Sequence, residues 1–189
     1  MKDFKPAVLL FVVLTIICGG IYPAAVTLLA GIAFPRQAAG SFVKDASGRV
    51  IGSTLIGQPF SDPKYFWPRP SATGPFAYNP GGSSGANLGP TNPAFLGSVS
   101  DRVAALRAAG INGPIPSDLV LASASGLDPH ITPTGARSQI ARVALARGLD
   151  AAELERIVAS RVEERQLGIL GEPRVNVLEL NLALDQIKH

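Results

Sequence analysis

Cysteine is nearly missing from this 189-residue chain. The single Cys18 excludes an intrachain disulfide framework and a cysteine-based metal site. Histidine occurs only at His130 and His189, too few to build a zinc or haem site without cysteine. Charged residues make up 16% of the chain and the net charge is +3, with acidic residues interspersed among the basic ones. No basic stripe results, so a nucleic-acid surface is not expected. The most telling absence is local. From Ala7 to Phe34 there is no Asp, Glu, Lys, Arg or His.

That run, AVLLFVVLTIICGGIYPAAVTLLAGIAF, exceeds the roughly 20 apolar residues a helix needs to cross a bilayer. Residues 7–30 therefore read as one transmembrane helix, its backbone hydrogen bonds satisfied internally as lipid requires. A cleavable signal has a shorter apolar region, and the residues before Cys18, Ile16 and Ile17, are not the small ones of a lipoprotein signal. Gly19, Gly20, Ala24 and Ala25 thin one face and offer close packing to a partner helix, and Pro23 removes an intrahelical hydrogen bond and is expected to kink the chain, although Gly and Pro are also common in spanning helices. Basic residues on both flanks, Lys2 and Lys5 against Arg36, Lys44 and Arg49, do not decide sidedness. A short tail, residues 1–6, before the span and a long domain after it favour the tail inside and the domain outside.

Residues 35–189 are long enough for one domain with its own core. Residues 41–56 read as a hairpin around Asp45-Ala46-Ser47-Gly48, with Thr54–Ile56 extending its second strand. Residues 58–92 combine recurrent proline, glycine and serine with Phe60, Tyr65, Phe66, Trp67, Phe76 and Tyr78. Flexible linkers are poor in aromatics, so a long ordered loop pinned by its rings is expected. Residues 93–189 carry helix and strand signals. Asn92-Pro93 opens a helix to about Ala109 with Phe95, Leu96, Val99, Val103 and Leu106 inward. Leu119–Ala122 fits a buried strand, and Thr132-Pro133 opens a helix to Arg147 that Gly148 ends. Asp150 and Glu153 form a capping pair for a helix to about Gln166, with Leu154, Ile157, Val158 and Val162 inward. A brief strand at Arg174–Val175 and a helix capped by Asn176 close the chain. The fold class is thus one N-terminal transmembrane helix followed by one α/β (α+β) domain.

Catalytic motifs are thin. Gly81-Gly82-Ser83-Ser84-Gly85 fits G-x-S-x-G, with Asp128 and His130 downstream in hydrolase order. The nucleophile elbow needs an entering strand and a leaving helix, and neither Tyr78-Asn79-Pro80 nor Leu88-Gly89-Pro90 suits. A phosphate loop lacks its Gly-Lys-Ser/Thr. His130 fits a turn residue better than a metal ligand, and Arg69 sits on a stiff segment between Pro68 and Pro70.

Longer motifs carry more. In order, Leu55–Gln58 (LIGQ), Tyr65–Ala72 (YFWPRPSA), Tyr78-Asn79-Pro80, Ser84–Pro93 (SGANLGPTNP), Ser123–Pro133 (SASGLDPHITP) and Val175–Asp185 (VNVLELNLALD) resemble the C subunit of the Kdp potassium-transporting P-type ATPase. Trp67-Pro68 departs from the His-Gly that the family often has. The resemblance implies a non-catalytic accessory subunit of a high-affinity, ATP-driven potassium uptake complex in the bacterial inner membrane. It would have one span and an extracytoplasmic domain. It implies as partners a potassium-channel-like subunit and the P-type subunit that hydrolyses ATP. It further implies a role in assembly and as a catalytic chaperone raising that subunit's affinity for ATP. ATP and potassium would be handled by the complex, with no cofactor held by this chain itself. Candidate partner contacts are Arg69, Pro70, Ser71, Asn79, Ser84, Gly85, Asn87, Asn92, Asp128 and His130 in the domain, and Gly19, Gly20, Pro23 and Ala24 in the span. An anchored periplasmic binding module and an anchored serine hydrolase are the competing readings.

Overall fold

The computed structural model describes residues 3–187; Met1, Lys2, Lys188 and His189, and with them part of the expected tail and the terminal histidine, lie outside the described residues. The chain divides into two compact units, one up to Ile51 and one from Gly52.

The first unit is led by a continuous helix, Phe4–Ala33, of 30 residues, long and apolar enough to cross a membrane. It comprises α1 (Phe4–Ile16), a π-helical turn (Ile17–Ile21) and α2 (Tyr22–Ala33). Pro23 has no N–H to give to the carbonyl of Gly19, so a regular α ladder fails there. The chain responds just upstream: Tyr22 N–H bonds Ile17 O, five residues back. A π turn absorbs one extra residue without breaking the helix. No helix residue is buried within the protein, as suits a surface solvated by lipid. A single turn, α3 (Pro35–Ala38), leads to β1 (Phe42–Lys44), which pairs with β2 (Val50–Ser53) in a two-stranded hairpin. Its turn is fixed by Asp45, whose Oδ1 accepts from Ser47 N and Arg49 N. Thr54–Ile56 does not extend the strand. Ile56 N turns back to Ser53 O at 3.3 Å, because Thr54 O is taken by the Asn176 side chain at 2.8 Å.

In the second unit, an irregular stretch containing one 3-10 turn (Pro80–Gly82) leads to α4 (Pro93–Ala108). Then come β3 (His130–Ile131), α5 (Pro133–Arg137), α6 (Ile140–Arg147), α7 (Ala151–Ser160), β4 (Val162–Glu163), β5 (Arg174–Asn176) and α8 (Val177–Asp185). β5 lies between β3 and β4 in an antiparallel sheet, with Ile131 opposite Val175 and Val162 opposite Val175 on the other side. Side-chain caps start the helices where the sequence places them. Asn92 accepts from Ala94 N, Thr132 from Gly135 N, Asp150 from Ala152 N and Asn176 from Glu179 N. The core gathers Val143 of α6, Leu154 and Val158 of α7, Val175 of β5, Leu180 and Leu184 of α8, and Phe66 from the irregular stretch, all fully buried.

Four further expectations need correction. Leu119–Ala122 is not a strand: Ser117–Leu119 form a 3-10 turn, and the third strand is His130–Ile131. Leu119 and Val120 are buried all the same, since an apolar run reports burial and not conformation. The helix from Pro133 breaks at Ser138-Gln139, where Gln139 N bonds Ala136 O in a tightened turn. α7 stops at Ser160, not Gln166, because Val162 is drawn into the sheet beside Val175. α4 forms its expected inward face only in part: Leu106 is buried and Val99 and Val103 pack against the core, while Leu96 stays 54% exposed.

Candidate functional site

Residues 63–67 supply the frame. Asn181 of α8 bonds both backbone groups of Phe66, and Gln139 bonds both of Trp67, accepting from its N–H at 2.7 Å and donating to its carbonyl at 3.0 Å. The two amides stand in for a neighbouring strand. Arg142 adds bonds to the carbonyls of Pro63 (2.6 Å) and Tyr65 (3.0 Å) and lies 4.0 Å from the centre of the Trp67 ring. Burial lowers the Arg142 guanidinium pKa to about 10, with Asp62 opposing; it stays charged at neutral pH. Arg147 bonds Lys64 O and pairs with Asp185 at 2.7 Å, and Asp185 also accepts from the Tyr65 hydroxyl at 2.9 Å.

The framed segment delivers Arg69 to Asp128. Arg69 Nη1 lies 2.9 Å from Asp128 Oδ2, while Asp128 Oδ1 accepts from His130 N at 3.0 Å and faces His130 Nδ1 at 3.3 Å. Burial would raise the Asp128 pKa, but the His130 hydrogen bonds and the Arg69 charge outweigh it and hold the carboxyl below its usual range. The Tyr78 hydroxyl donates to Arg69 O. Burial, with the Asp128 charge adding to it, pushes the Tyr78 phenol well above its ordinary pKa. Gly57 must be glycine here: a Cβ would sit 2.3 Å from the Tyr78 ring and 2.9 Å from Asp128 O.

A second knot lies next to this one. The Ser71 hydroxyl donates to Gly126 O (2.7 Å) and accepts from Tyr78 N (2.9 Å). Asn79 donates to Gly74 O and accepts from Gly81 N. Ser84 N bonds Ser125 O, and Gly85 passes so close that a Cβ would meet Ala124 O at 2.9 Å. Gly126 combines φ +68° with Thr73 and Ser84 O crowding its missing Cβ.

Of the expected contacts, Arg69, Asp128 and His130 therefore form one cluster, Ser71, Ser84 and Gly85 pack against residues 123–126, and Asn79 ties the turn from Thr73 to Gly81. Asn87 adopts φ +51° and Asn92 caps α4, serving local turns. Gly19, Gly20, Pro23 and Ala24 belong to the first unit, with Gly19 and Gly20 inside the π turn. The G-x-S-x-G elbow is not built. A 3-10 turn and not a strand enters it, and the Ser83 hydroxyl donates to Ser125 O at 3.0 Å. Among the described residues no group of three or more His, Cys, Asp or Glu side chains could hold a metal ion.

Arg69 lies between two clefts. One, of about 270 Å³, is ionic and is lined also by Asp118, Asp128, His130 and Arg174. The other, of about 350 Å³, is apolar, between Phe60, Trp67, Pro68 and Pro70 on one side and Arg102 and Leu106 of α4 on the other. Sequence reasoning missed Asp118, buried and holding Thr132 N at 2.6 Å, and the clamps Gln139, Arg142 and Asn181. Polar residues at helix positions that face inward were the available signal. Such an arrangement of fixed charges, an imidazole and apolar walls suits recognition of another surface.

Comparison with known proteins bears on what that surface is. The family model described as "K+-transporting ATPase, c chain" matches residues 4–186. A protein of Geobacter sulfurreducens named "Potassium-transporting ATPase KdpC subunit" is 64% identical over 187 residues, 99% of each chain. One of the same name from Geotalea uraniireducens is equally similar, 64% over 187 residues and 99% of each chain. The Methylococcus capsulatus protein of that name is 58% identical over 190 residues, covering both chains completely.

Proposed function

The chain belongs to the family of the K+-transporting ATPase c chain, and from that premise we propose that it is the accessory subunit through which an ATP-driven potassium uptake complex is assembled and tuned. The observation that carries this reading is the extent of the match, which takes in the apolar helix and the domain together. ATP hydrolysis belongs to a separate P-type subunit, and ion selection to a channel-like subunit. The helix Phe4–Ala33 anchors the chain in the bacterial inner membrane, with the domain on the extracytoplasmic side.

In that orientation the domain never meets cytoplasmic ATP. A chaperone effect on ATP affinity then travels as a coupling free energy through the span and the helices it packs against. Gly19, Gly20, Pro23 and Ala24 are the contacts proposed for that packing. The Arg69–Asp128–His130 cluster, with Pro70, Ser71 and Asn79 behind it, is the domain's contribution to partner binding. Asn87, Asn92, Ser84 and Gly85 keep the adjoining loops in shape.

Mild detergent extraction of the affinity-tagged chain tests the reading: two larger membrane subunits and potassium-stimulated ATPase activity should come with it. Recovery of the tagged chain by itself would overturn the reading. It would favour an anchored binding module using the apolar cleft beside Arg69. Sidedness has its own test in Ser47→Cys with Cys18 replaced by Ser. A membrane-impermeant thiol reagent should label it on cells whose outer barrier is opened, and labelling only after full lysis would reverse the orientation.

A further inference from the structure

The hairpin joining β4 to β5 ends in Leu167-Gly168-Ile169-Leu170, and its three aliphatic side chains point away from the protein. Leu167 is 88% exposed, Ile169 74% and Leu170 54%. None of the three belongs to the core cluster, so the fold gives no reason for them to be apolar. Single exposed aliphatics are ordinary, but three on one short tip are not.

The tip is also firmly built. Gln166 and Leu170 exchange backbone hydrogen bonds, both 2.9 Å. Leu167 is held at φ +54°, a left-handed conformation unfavourable for an L-residue with a side chain, and Gly168 and Gly171 follow at φ +75°. Lower down, Arg165 pairs with Glu172 and Arg174 with Glu163, at 2.5 and 2.9 Å. A rigid apolar knob loses little entropy on docking, which favours a socket of fixed shape.

Two observations set a protein socket above a bilayer as its occupant. From Arg161 to Arg174 the hairpin carries three Arg and three Glu, with no net charge to draw it to anionic headgroups. The tip also has no Trp, Tyr or Lys of the kind that anchors at a membrane interface. We infer that Leu167, Ile169 and Leu170 form a docking knob that seats in an aliphatic socket on another subunit of the transport complex. The inference rests on the accessory-subunit reading above.

The test places a single thiol on the tip, Ile169→Cys with Cys18→Ser, and follows its reaction with a maleimide. In the chain alone in lipid nanodiscs the thiol should react quickly; in the co-purified complex it should react about tenfold more slowly or less, as water is excluded from an interface core. Equal rates in both would overturn the inference, and so would protection already present in the chain alone, which would assign the knob to lipid. Ile169→Asp should reduce retention of the other subunits by about tenfold while leaving the thermal transition of the isolated chain unmoved, as an interface anchor would; undiminished retention would overturn it. If the wild-type chain retains no subunit, the accessory reading itself falls and this inference with it. That result is distinct from a complex that forms with the tip still reactive.

Discussion

Asn181 makes both hydrogen bonds of the Phe66 backbone: its Oδ1 accepts from Phe66 N at 2.8 Å and its Nδ2 donates to Phe66 O at 3.0 Å. The pair is 115 residues apart in sequence and fully enclosed. This junction seats the irregular stretch on the helical core, with Phe66 as the plug.

Asn181→Ala strips partners from a buried N–H and a buried C=O, each costing about 1–3 kcal/mol when left bare. We expect a loss of about 2–4 kcal/mol in denaturant unfolding of the detergent-solubilised chain. Phe66→Ala should cost about 3–5 kcal/mol by opening a cavity. The double variant should lose less than the sum, since both changes undo one contact.

Gly57→Ala drives a methyl group into the Tyr78 ring and the Asp128 carbonyl. Overpacking of this kind costs about 1–3 kcal/mol, read as a lower thermal midpoint. Tyr78→Phe removes the hydroxyl bonded to Arg69 O and should cost about 1 kcal/mol.

Asp128 sets a pH dependence. Its folded pKa lies below the ordinary range of an aspartate, so its stabilisation is fully present above the unfolded value and is lost as pH falls through the folded one. The stability gap between wild type and Asp128→Asn should be constant from neutral pH down to about pH 5 and close at more acidic pH, below about 4. Thermal unfolding of both proteins across that range measures it. A gap that widens on acidification would contradict the arrangement.

Pro23→Ala restores the N–H whose absence accompanies the π turn Ile17–Ile21. Reversion to a regular α helix re-registers the residues on either side by about 100°. Gly19 and Gly20 would then no longer hold their present angle to Ala24. The variant should still insert in membranes but retain less of the other subunits on affinity purification. Unchanged retention would remove the π turn from the packing face.

Much was legible in one dimension because the governing interactions are local. The apolar run before Pro35 needs only its own backbone to be a helix. Asn92, Thr132, Asp150 and Asn176 cap helices through bonds two or three residues away, so their identity and position sufficed. The final strand and helix, Arg174–Asn176 and Val177–Asp185, lie where the pattern puts them.

What failed depended on partners far off in sequence. Val162 reads as one more turn of α7, yet Val175 takes it into a sheet. The helix through Ser138 breaks, and Gln139 turns its amide to the backbone of Trp67, 72 residues away.

The sequence by itself determined an apolar helix followed by an α/β domain, and long motifs in order identified the family. Only the tertiary structure decided that Arg69, Asp128 and His130 share one cluster, that buried amides hold the irregular stretch, and that an aliphatic knob stands clear of the core. The physical reason is range: periodicity and capping act within a few residues, whereas a site is made by chain closure, which brings together groups that sequence order keeps apart.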